Sequence, residues 1–551
     1  LALPEVFLGL IPGWGGAWQL PNLIGIKNAL TVMVENPLKM NRTLTPQQAR
    51  DMGIADAIFP AARFLEDSVR FADEVLAGAR KVKRPHEPGA IERSTVWPIA
   101  VNTARKMLRA KIGTVARSPY AALDLLAAAQ SSSKARGFAA EDEVLAELIA
   151  GDQFRASVYA FMLTQKRAKV TPGAPGREHA VAMTKVGVVG GGLMARQFAF
   201  QILRRLEVPV VISDISQDRV DDATSWMRRE IDTLLEEGRL HPDAANKLRG
   251  LIHGTTSMAD FASCDLVIEA VFEELSVKQD VFTELEKHVS PEAILASNTS
   301  SLSIGDIASV LKHPERMVGI HFFNPVAVMP LVEVVRADKS SDAAVATGVA
   351  LVNKLRKTAI VTADTTGFVV NRLLAKLLGE AMHAIEIGTP YEVVDESVQP
   401  LALPMGPFEL LELVGLQVGA HVLKTHHTAF PERFFDSDAL RDLVGHGSIY
   451  DRNAKNKITG VSAFARSLIG DGPGYSAEEL RERVYNGLAD EVWRMLDESV
   501  VEGPEDVDVA MILGAGWPFH MGGLTPFLDR VGASENARGK TFHTPPIAGV
   551  A

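Results

Sequence analysis

Cysteine is nearly absent from this 551-residue sequence, in which Cys264 is the single example. One cysteine excludes an internal disulfide framework and fits a reducing compartment, so we predict a cytoplasmic location. The sequence also lacks an apolar run long enough to cross a bilayer, and it lacks a charged segment followed by an apolar signal segment. We therefore expect a globular protein without a transmembrane segment.

An excess of positive charge is also missing, because the sequence has 57 Lys and Arg residues and 68 Asp and Glu residues, which gives a net charge of −11. This balance argues against general binding to nucleic acid or to anionic membranes. An anionic cofactor must then be held by a few local basic side chains or by backbone amides. The length predicts several domains.

A glycine-rich turn follows an apolar β-branched run over Val186–Val189 and has the form Gly190-x-Gly192-x-x-Ala195. The first glycine permits a tight turn, the second lets the backbone approach a pyrophosphate, and the small third residue lets a helix pack on the strand. The free N–H groups of a helix that starts here would face the phosphates. The turn predicts a dinucleotide site.

A second apolar strand ends at Asp214, which lies 24 residues after Gly190. An acid at this spacing is typical of a ligand to the adenosine ribose hydroxyls, and it would repel a 2′-phosphate. The alternative is an ordinary aspartate at a strand end. Strand and helix patterns alternate as far as residue 365, so we predict a doubly wound sheet that binds NAD rather than NADP.

Two polar residues interrupt apolar strands further along. His321 ends one strand, and Glu333 lies inside the otherwise apolar run Leu331–Val335. A lone buried carboxylate is costly, so a partner is expected. If the two strands pair, the carboxylate would fix the imidazole tautomer and make the ring a proton acceptor for oxidation of a secondary alcohol. The alternative is a structural histidine.

Two further residues are candidates for contacts to substrate. Ser300 lies in a polar run after an apolar strand and would hydrogen-bond a substrate oxygen, although such a run can equally be a helix N-cap. Asn371 is an amide among apolar residues, suited to hold a carbonyl or, alternatively, to cap a helix or form an interhelical hydrogen bond.

Five motifs occur in the order found in the L-3-hydroxyacyl-CoA dehydrogenase family, which residues 183–551 therefore resemble. They are Gly-x-Gly-Leu-Met, Ser-Asn-Thr-Ser-Ser-Leu, His-Phe-Phe-Asn-Pro, Leu-Val-Glu-Val and Gly-Phe-x-Val-Asn-Arg. The resemblance implies that His321 is the general base, that Glu333 orients it, and that Ser300 and Asn371 position the 3-oxygen of an acyl thioester. It implies an NAD-binding set made up of Gly190, Gly192, Leu193, Met194, Asp214, Glu273, Lys278 and Asn298, and no metal.

The first residues resemble a different family, the crotonase (enoyl-CoA hydratase/isomerase) superfamily, through Pro-Glu-x-x-x-Gly-x-x-Pro-Gly-x-Gly-Gly. Glu5 would match the second of the two catalytic glutamates in that family. The other glutamate and the oxyanion-hole amides lie upstream of this point in the family pattern. We therefore interpret residues 1–80 as the C-terminal part of a hydratase domain, and expect hydratase activity only where the missing part is present.

The last third of the chain contains a repeat. Glu392-Val-Val-Asp395 precedes Leu403–Phe408, and Glu505-Asp-Val-Asp508 precedes Trp517–Gly522. A duplicated helical domain explains this pattern, and in the dehydrogenase family that domain closes over the acyl-CoA. Together with the hydratase remnant, the duplication resembles multifunctional fatty-acid oxidation α-subunits.

The predicted fold is thus an α/β Rossmann-type doubly wound domain plus a duplicated all-α C-terminal domain, preceded by a crotonase-like α/β remnant and a helical linker. We predict one long amphipathic helix over 141–167 and a domain break at 171–176. The predicted domain boundaries are 1–80, 81–182, 183–365, 366–470 and 471–551.

The predicted function is NAD-dependent oxidation of (S)-3-hydroxyacyl-CoA to 3-ketoacyl-CoA. A different hydroxy-acid dehydrogenase would instead need a catalytic lysine after the Rossmann part. A non-catalytic CoA- or NAD-binding scaffold that docks a thiolase is the remaining alternative. The predicted partners are an acyl-CoA substrate, a thiolase β-subunit and further subunits of an oligomer, with no nucleic acid.

Overall fold

The computed structural model describes residues 1–39, 41–545 and 547, and its first part is a helical layer. Helices α1 (Gly16–Leu30), α4 (Trp97–Ile112), α5 (Ser118–Ala128) and α6 (Lys134–Ala150) share one apolar core, which contains Ile11, Trp97 and Leu126. The predicted boundary between residues 80 and 81 therefore does not coincide with a break in packing. Between residues 1 and 80, the described part has helices and turns but no strand. The helices are α1 (Gly16–Leu30), α2 (Pro46–Asp51), α3 (Phe64–Leu76), α4 (Trp97–Ile112), α5 (Ser118–Ala128), α6 (Lys134–Ala150) and α7 (Asp152–Arg167).

The prediction of one helix over 141–167 is wrong, because the chain breaks at Gly151. The backbone there is extended, with φ −80° and ψ 155°, and the Gly151 amide donates to the carbonyl of Leu148. Glycine carries a high entropic cost in a helix, so the two amphipathic segments separate at this point. As a result α6 packs on α1 and α5, whereas α7 packs on the C-terminal helices.

The middle of the chain forms an eight-stranded sheet in the described residues, and its strands are β1 (Val186–Val189), β2 (Val210–Ser213), β3 (Ile252–Thr255), β4 (Leu266–Glu269), β5 (Ile294–Ser297), β6 (Met317–Phe322), β7 (Leu331–Arg336) and β8 (Thr358–Ala363). Their order in the sheet is β3-β2-β1-β4-β5-β6-β7-β8. The pairs are parallel except β6 with β7, which is antiparallel. The order reverses at β1, so a crevice forms at the carboxyl ends of β1 and β4, where α/β proteins bind ligands. The predicted doubly wound α/β fold is confirmed.

The elements of this domain are β1 (Val186–Val189), α8 (Leu193–Leu206), β2 (Val210–Ser213), α9 (Gln217–Glu236), α10 (Pro242–Gly250), β3 (Ile252–Thr255), β4 (Leu266–Glu269), α11 (Leu275–Leu285), β5 (Ile294–Ser297), α12 (Ile304–Ala308), β6 (Met317–Phe322), β7 (Leu331–Arg336), α13 (Asp342–Lys354) and β8 (Thr358–Ala363). Strands β1, β2, β4 and β5 are buried along their whole length, which explains their continuous apolar runs.

As far as it is described, the C-terminal part is helical, with one small hairpin. Its elements are α14 (Val370–Glu386), α15 (Tyr391–Val398), α16 (Pro407–Val414), α17 (Leu416–Ala429), α18 (Asp438–His446), β9 (Tyr450–Arg452), β10 (Ile458–Val461), α19 (Ala463–Ser467), α20 (Ala477–Asp497), α21 (Pro504–Gly514), α22 (Leu524–Arg530) and α23 (Ala533–Arg538). Helices α14 and α20 pack on each other, α15 packs on α20, and α21 packs on α14. This reciprocal packing is that expected for two copies of one helical unit placed face to face.

Acidic residues at matching places in the two units support the duplication. Glu412 at the end of α16 accepts hydrogen bonds from the amides of Ile449 and Tyr450. Asp529 at the end of α22 accepts hydrogen bonds from the amides of Phe542 and His543. Each acid thus holds a segment that comes later in the chain than its own helix.

A buried ion network joins the two units. The Arg372 side chain is fully buried on α14 and lies 2.5 Å from Glu491 of α20 and 2.6 Å from Glu498. Arg433 also pairs with both glutamates, and its guanidinium stacks on the Phe430 ring. A charge buried this deeply is tolerated because every partner is present.

We predict that Asp395→Asn stabilises the protein at alkaline pH. Burial, together with the charges of Glu409 and Glu392, raises the pKa of Asp395 from 3.8 to about 6. Its Oδ1 is buried and has no hydrogen-bond partner among the described residues. Because the folded pKa exceeds the unfolded one, the carboxylate costs stability as the pH rises from about 4 to 6, and the full cost persists above pH 6.

Asparagine has the same shape without the charge, so the gain should be about 1–2 kcal/mol at pH 8 and should vanish near pH 4. Urea denaturation at both pH values measures it. Asp451→Asn, at an exposed position on the hairpin, is the matched control and should show no such difference. An equal gain for Asp395→Asn at both pH values would contradict the prediction.

Candidate active site

The glycine turn joins β1 to α8, as the sequence predicts. Gly190 has φ +115°, and a Cβ there would lie 2.5 Å from the carbonyl oxygen of Ala270, so this position requires glycine. Gly192 is the N-cap of α8, and a Cβ added to it would meet no atom within 4 Å. The turn is therefore tight on the sheet side and open on the other side, in front of a helix N-terminus.

Asp214 follows β2 beside this turn. Its Oδ2 accepts a hydrogen bond from the Gly191 amide at 2.7 Å, and its Oδ1 accepts one from Ile215 at 2.7 Å. Arg219 lies 3.5 Å from the carboxylate. The acid therefore has a fixed position and also stabilises the turn.

These residues fit a dinucleotide. The open face of Gly192 and the start of α8 suit a pyrophosphate, which needs close approach to the backbone and unpaired amides. Ile215 and Phe272 lie in the loops after β2 and β4, at the same edge of the sheet, and these residues are 90% and 77% exposed. Apolar side chains exposed at a crevice are suited to contact a flat base. Leu193 and Met194 begin α8 beside them.

His321 and Glu333 lie directly opposite each other in the antiparallel pair of β6 and β7. His321 Nδ1 lies 2.6 Å from Glu333 Oε2, so the predicted pairing of these residues is confirmed. Since an ionised carboxylate only accepts hydrogen bonds, Nδ1 carries the proton and Nε2 has a free lone pair. Phe323 and Phe368 pack beside the ring, with centroids at 4.5 and 5.7 Å.

The second oxygen of Glu333 is held by the helical domain. Oε1 accepts hydrogen bonds from the amides of Val369 and Val370, at 3.2 and 3.1 Å, where α14 begins. Glu333 is fully buried, and these three donors compensate the cost of burying its charge. The carboxylate thus has one orientation, set jointly by the sheet and by α14.

The remaining polar candidates are joined by hydrogen bonds around Glu273. Its Oε1 accepts from the Thr299 hydroxyl at 2.7 Å, from the Ser300 amide at 2.8 Å and from the Ser300 hydroxyl at 3.1 Å. The Asn371 amide Nδ2 donates to the Ser300 carbonyl at 3.1 Å. Burial by itself would raise the pKa of Glu273, but the Lys278 ammonium and the Thr299 and Ser300 hydrogen bonds together hold it below its ordinary value. The structure therefore brings Ser300, Asn371 and Glu273 together.

Lys278 and Asn298, which are predicted to bind NAD, also contact other residues of the site. Lys278 is 1% exposed and pairs with Glu269 at 2.8 Å and with Glu273 at 3.1 Å. The Asn298 side-chain oxygen accepts from the Phe322 amide at 2.9 Å, next to His321. Both residues hold other parts of the site, and their contact with NAD stays a prediction.

Two residues beside the site were missed in the sequence. Glu269 ends β4 fully buried, and Gln197 on α8 accepts a hydrogen bond from the Val326 amide in the loop after His321. The acid at the end of an apolar strand, with Lys278 on the helix that follows, was the signal for Glu269. Gln197 lacks such a signal, because its partner lies 129 residues away.

Glu5 lies far from this cluster, in the loop before α1. Its Oε2 is buried without a hydrogen-bond partner among the described residues, and burial raises its pKa. Phe7 in the same loop packs on Phe519 and Phe161, with ring centroids at 4.5 and 6.4 Å. The loop therefore rests on α7 and on the second helical unit.

Two clefts border the helical domain. One of about 400 Å³ lies next to Ser300, between the sheet domain and α17, and its lining includes Ser301, Thr366 and Lys424. A larger one of about 920 Å³ lies by the β9–β10 hairpin, lined by Glu409, Glu412 and Arg452 among others, and contains none of the catalytic candidates. The catalytic candidates therefore lie at the crevice of the sheet domain and not in the larger cavity.

Across the described residues, no group of three or more His, Cys, Asp or Glu side chains is arranged to hold a metal ion. The described helices also include none that is long and apolar enough to cross a membrane.

Comparison with known families matches three segments of the chain. Residues 185–365 match the 3-hydroxyacyl-CoA dehydrogenase NAD-binding domain, and residues 367–458 match the 3-hydroxyacyl-CoA dehydrogenase C-terminal domain. Residues 1–85 match the enoyl-CoA hydratase/isomerase family.

Whole-chain relatives extend these matches. A Shewanella halifaxensis (strain HAW-EB4) protein named fatty acid oxidation complex subunit alpha is 32% identical over 548 residues, covering 97% of this chain and 76% of that protein. The protein of the same name from Shewanella loihica (strain ATCC BAA-1088 / PV-4) is 32% identical over 547 residues, covering 97% of this chain and 76% of the relative.

A solved structure shares the fold. The crystal structure of 3-hydroxybutyryl-CoA dehydrogenase from Escherichia coli K12 superposes with a TM-score of 0.55 at 23% identity, covering 65% of this chain and 96% of the other.

Proposed function

The chain belongs to the fatty acid oxidation complex α-subunit family, and we propose that His321, Glu333, Ser300 and Asn371 carry its dehydrogenase reaction. It is an NAD-dependent 3-hydroxyacyl-CoA dehydrogenase of fatty acid β-oxidation, which oxidises (S)-3-hydroxyacyl-CoA to 3-ketoacyl-CoA. The observation that carries the proposed residue roles is the 2.6 Å hydrogen bond between His321 Nδ1 and Glu333 Oε2.

His321 is the proposed general base. Its Nε2 takes the proton of the substrate 3-hydroxyl, and the positive charge that forms on the ring is stabilised by Glu333 through Nδ1–H. Bound NAD supplies the acceptor for the hydride that leaves the same carbon. In the reverse direction His321 returns the proton to the oxygen. The amides of Val369 and Val370 keep the Glu333 carboxylate in place during this transfer.

Ser300 and Asn371 are proposed to hold the 3-oxygen as it changes from hydroxyl to carbonyl. The Ser300 hydroxyl makes a long hydrogen bond of 3.1 Å to Glu273, which a substrate oxygen can replace. Asn371 uses Nδ2 for the Ser300 carbonyl, and an amide nitrogen has a second hydrogen to donate. Donors fixed in this way stabilise the negative charge that develops on the oxygen.

Acetoacetyl-CoA reduction tests the activity directly. The purified chain should consume NADH on addition of acetoacetyl-CoA, followed by the absorbance at 340 nm. Failure to consume NADH, in a protein that still binds it, would favour the scaffold alternative over the proposed roles.

We predict that Asp214→Asn weakens discrimination against NADPH. Asparagine keeps an acceptor for the Gly191 amide but loses the charge that repels a 2′-phosphate and strengthens the ribose hydrogen bonds. The KM for NADH should rise about 10-fold, and kcat/KM with NADPH should rise relative to NADH. Steady-state rates with both cofactors measure this change. An unchanged NADH to NADPH preference would contradict the assignment of Asp214 to the ribose.

We also propose that the chain assembles with a β-subunit of thiolase chemistry. Support comes from the relatives, which are named as subunits of a complex, and from an apolar surface on α16 and α17. Leu413, Val414 and Val418 on that surface are 70%, 51% and 48% exposed. An exposed apolar cluster is typical of an interface. Light scattering of the chain alone and with a thiolase subunit distinguishes self-association from a hetero-complex.

Hydratase activity through Glu5, and a cytoplasmic location, stay predictions.

A further inference from the structure

Three charged side chains form a row beneath the crevice, in which Glu269 and Lys278 are buried and Glu273 is half-buried. The Lys278 ammonium lies between Glu269 Oε1 at 2.8 Å and Glu273 Oε2 at 3.1 Å. Glu269 and Lys278 are 0% and 1% exposed, respectively. Both side chains are therefore shielded from solvent.

Burying these charges carries a cost that the fold compensates in detail. Glu269 also accepts from the Val271 amide at 2.6 Å and from the Ser297 hydroxyl at 2.6 Å. A buried ion pair gives little net stability compared with apolar side chains of the same size. The row is therefore better explained by the geometry that it imposes than by stability.

The row continues into the substrate-facing residues. Glu273 uses Oε2 for Lys278 and Oε1 for the amide and hydroxyl of Ser300, and the Ser300 carbonyl accepts from Asn371. We infer that Glu269 is a positioning residue, which through Lys278 and Glu273 sets the orientation of Ser300 and Asn371. This inference rests on the proposed contact of Ser300 with the substrate.

The Glu269→Gln substitution removes the negative charge of this side chain and keeps its shape. Glutamine has one oxygen, which can keep the Val271 and Lys278 contacts, while its NH₂ group can face Ser297, whose hydroxyl can turn to accept. Lys278 then has Glu273 as its one anionic partner and draws it away from Ser300. Because small misplacements of a contacting group reduce rate steeply, kcat for acetoacetyl-CoA reduction should fall about 10-fold. The KM for NADH should stay within about 2-fold of wild type.

A double-mutant cycle with Ser300→Ala tests whether Glu269 acts through Ser300. If it does, Glu269→Gln should lower kcat about 10-fold in the wild-type background and less than about 2-fold in the Ser300→Ala background. The matched control is Glu286→Gln in the same domain. Glu286 accepts hydrogen bonds from the amides of Lys312 and His313 and pairs with Arg316. In the double mutant, the effects of Glu286→Gln and Ser300→Ala on kcat should therefore multiply.

Multiplying effects in the Glu269 cycle would overturn the inference, as would a raised NADH KM with unchanged kcat. A Ser300→Ala variant with wild-type kcat would instead overturn the proposed role of Ser300. If Glu269→Gln does not fold, Ser297→Ala replaces it, since this change removes one hydrogen bond from Glu269 and leaves the charges in place. It should lower kcat about 3-fold with the same dependence on Ser300.

Discussion

His321→Gln should lower kcat for acetoacetyl-CoA reduction by about 10³-fold, the largest effect that we expect from a single substitution. Glutamine fills a similar volume and can donate to Glu333, so the β6–β7 pair should remain intact. It cannot exchange a proton near neutral pH, and the transfer to or from the 3-oxygen then depends on water. NADH oxidation at 340 nm, at saturating acetoacetyl-CoA, measures the loss.

NADH binding is the control for this variant. His321 lies at the end of β6, whereas the glycine turn follows β1, so the dissociation constant for NADH should stay within about 2-fold, measured by cofactor fluorescence. Equal rates for wild type and His321→Gln would contradict the assignment of the base. Absence of a rate in both proteins would support the scaffold alternative.

Glu333→Gln should lower kcat for the oxidation of (S)-3-hydroxyacyl-CoA by NAD about 10²- to 10³-fold. The glutamine oxygen can keep the hydrogen bonds from Val369 and Val370, and its NH₂ group then faces His321 Nδ1. Nδ1 must accept that hydrogen bond, so the proton moves to Nε2, the atom that has to receive the substrate proton. The variant keeps the imidazole but in the wrong tautomer.

Two measurements separate this effect from unfolding. The melting temperature of Glu333→Gln should stay within a few degrees of wild type, because the buried donors keep an acceptor. The dissociation constant for NADH should also stay within about 2-fold of wild type, measured by cofactor fluorescence. A wild-type rate in a folded Glu333→Gln variant would show that His321 does not need a carboxylate partner. Glu286→Gln, in the same domain, should leave the rate unchanged.

Local patterns were sufficient for much of this protein. The β-branched run before Gly190 predicted a strand followed by a turn. The structure explains why glycine stands there, because the position has a positive φ and a Cβ would overlap the carbonyl oxygen of Ala270. His321 and Glu333 were identifiable because a charged or polar residue inside an apolar strand needs a partner, and their spacing allowed two adjacent strands. The repeat around Asp395 and Asp508 predicted two helical units, and the structure has two such units packed face to face.

The helix break shows where periodicity fails. The apolar residues of 141–167 keep helical spacing on both sides of Gly151, so the pattern alone predicts one helix. The two halves pack against different partners, α6 on the front helices and α7 on the second helical unit. For α7 this choice depends on residues as distant as Asp508, which lies 349 positions after its partner Tyr159.

The sequence by itself therefore determined the cofactor turn, the two strands that carry the base and its partner, and the family. The tertiary structure alone decided that Lys278 lies buried between Glu269 and Glu273, and that Ser300 and Asn371 share one hydrogen-bonded row. The reason is physical. A turn or strand depends on the conformational limits of neighbouring residues, whereas the position of a charge depends on which distant donors the packed chain brings to it.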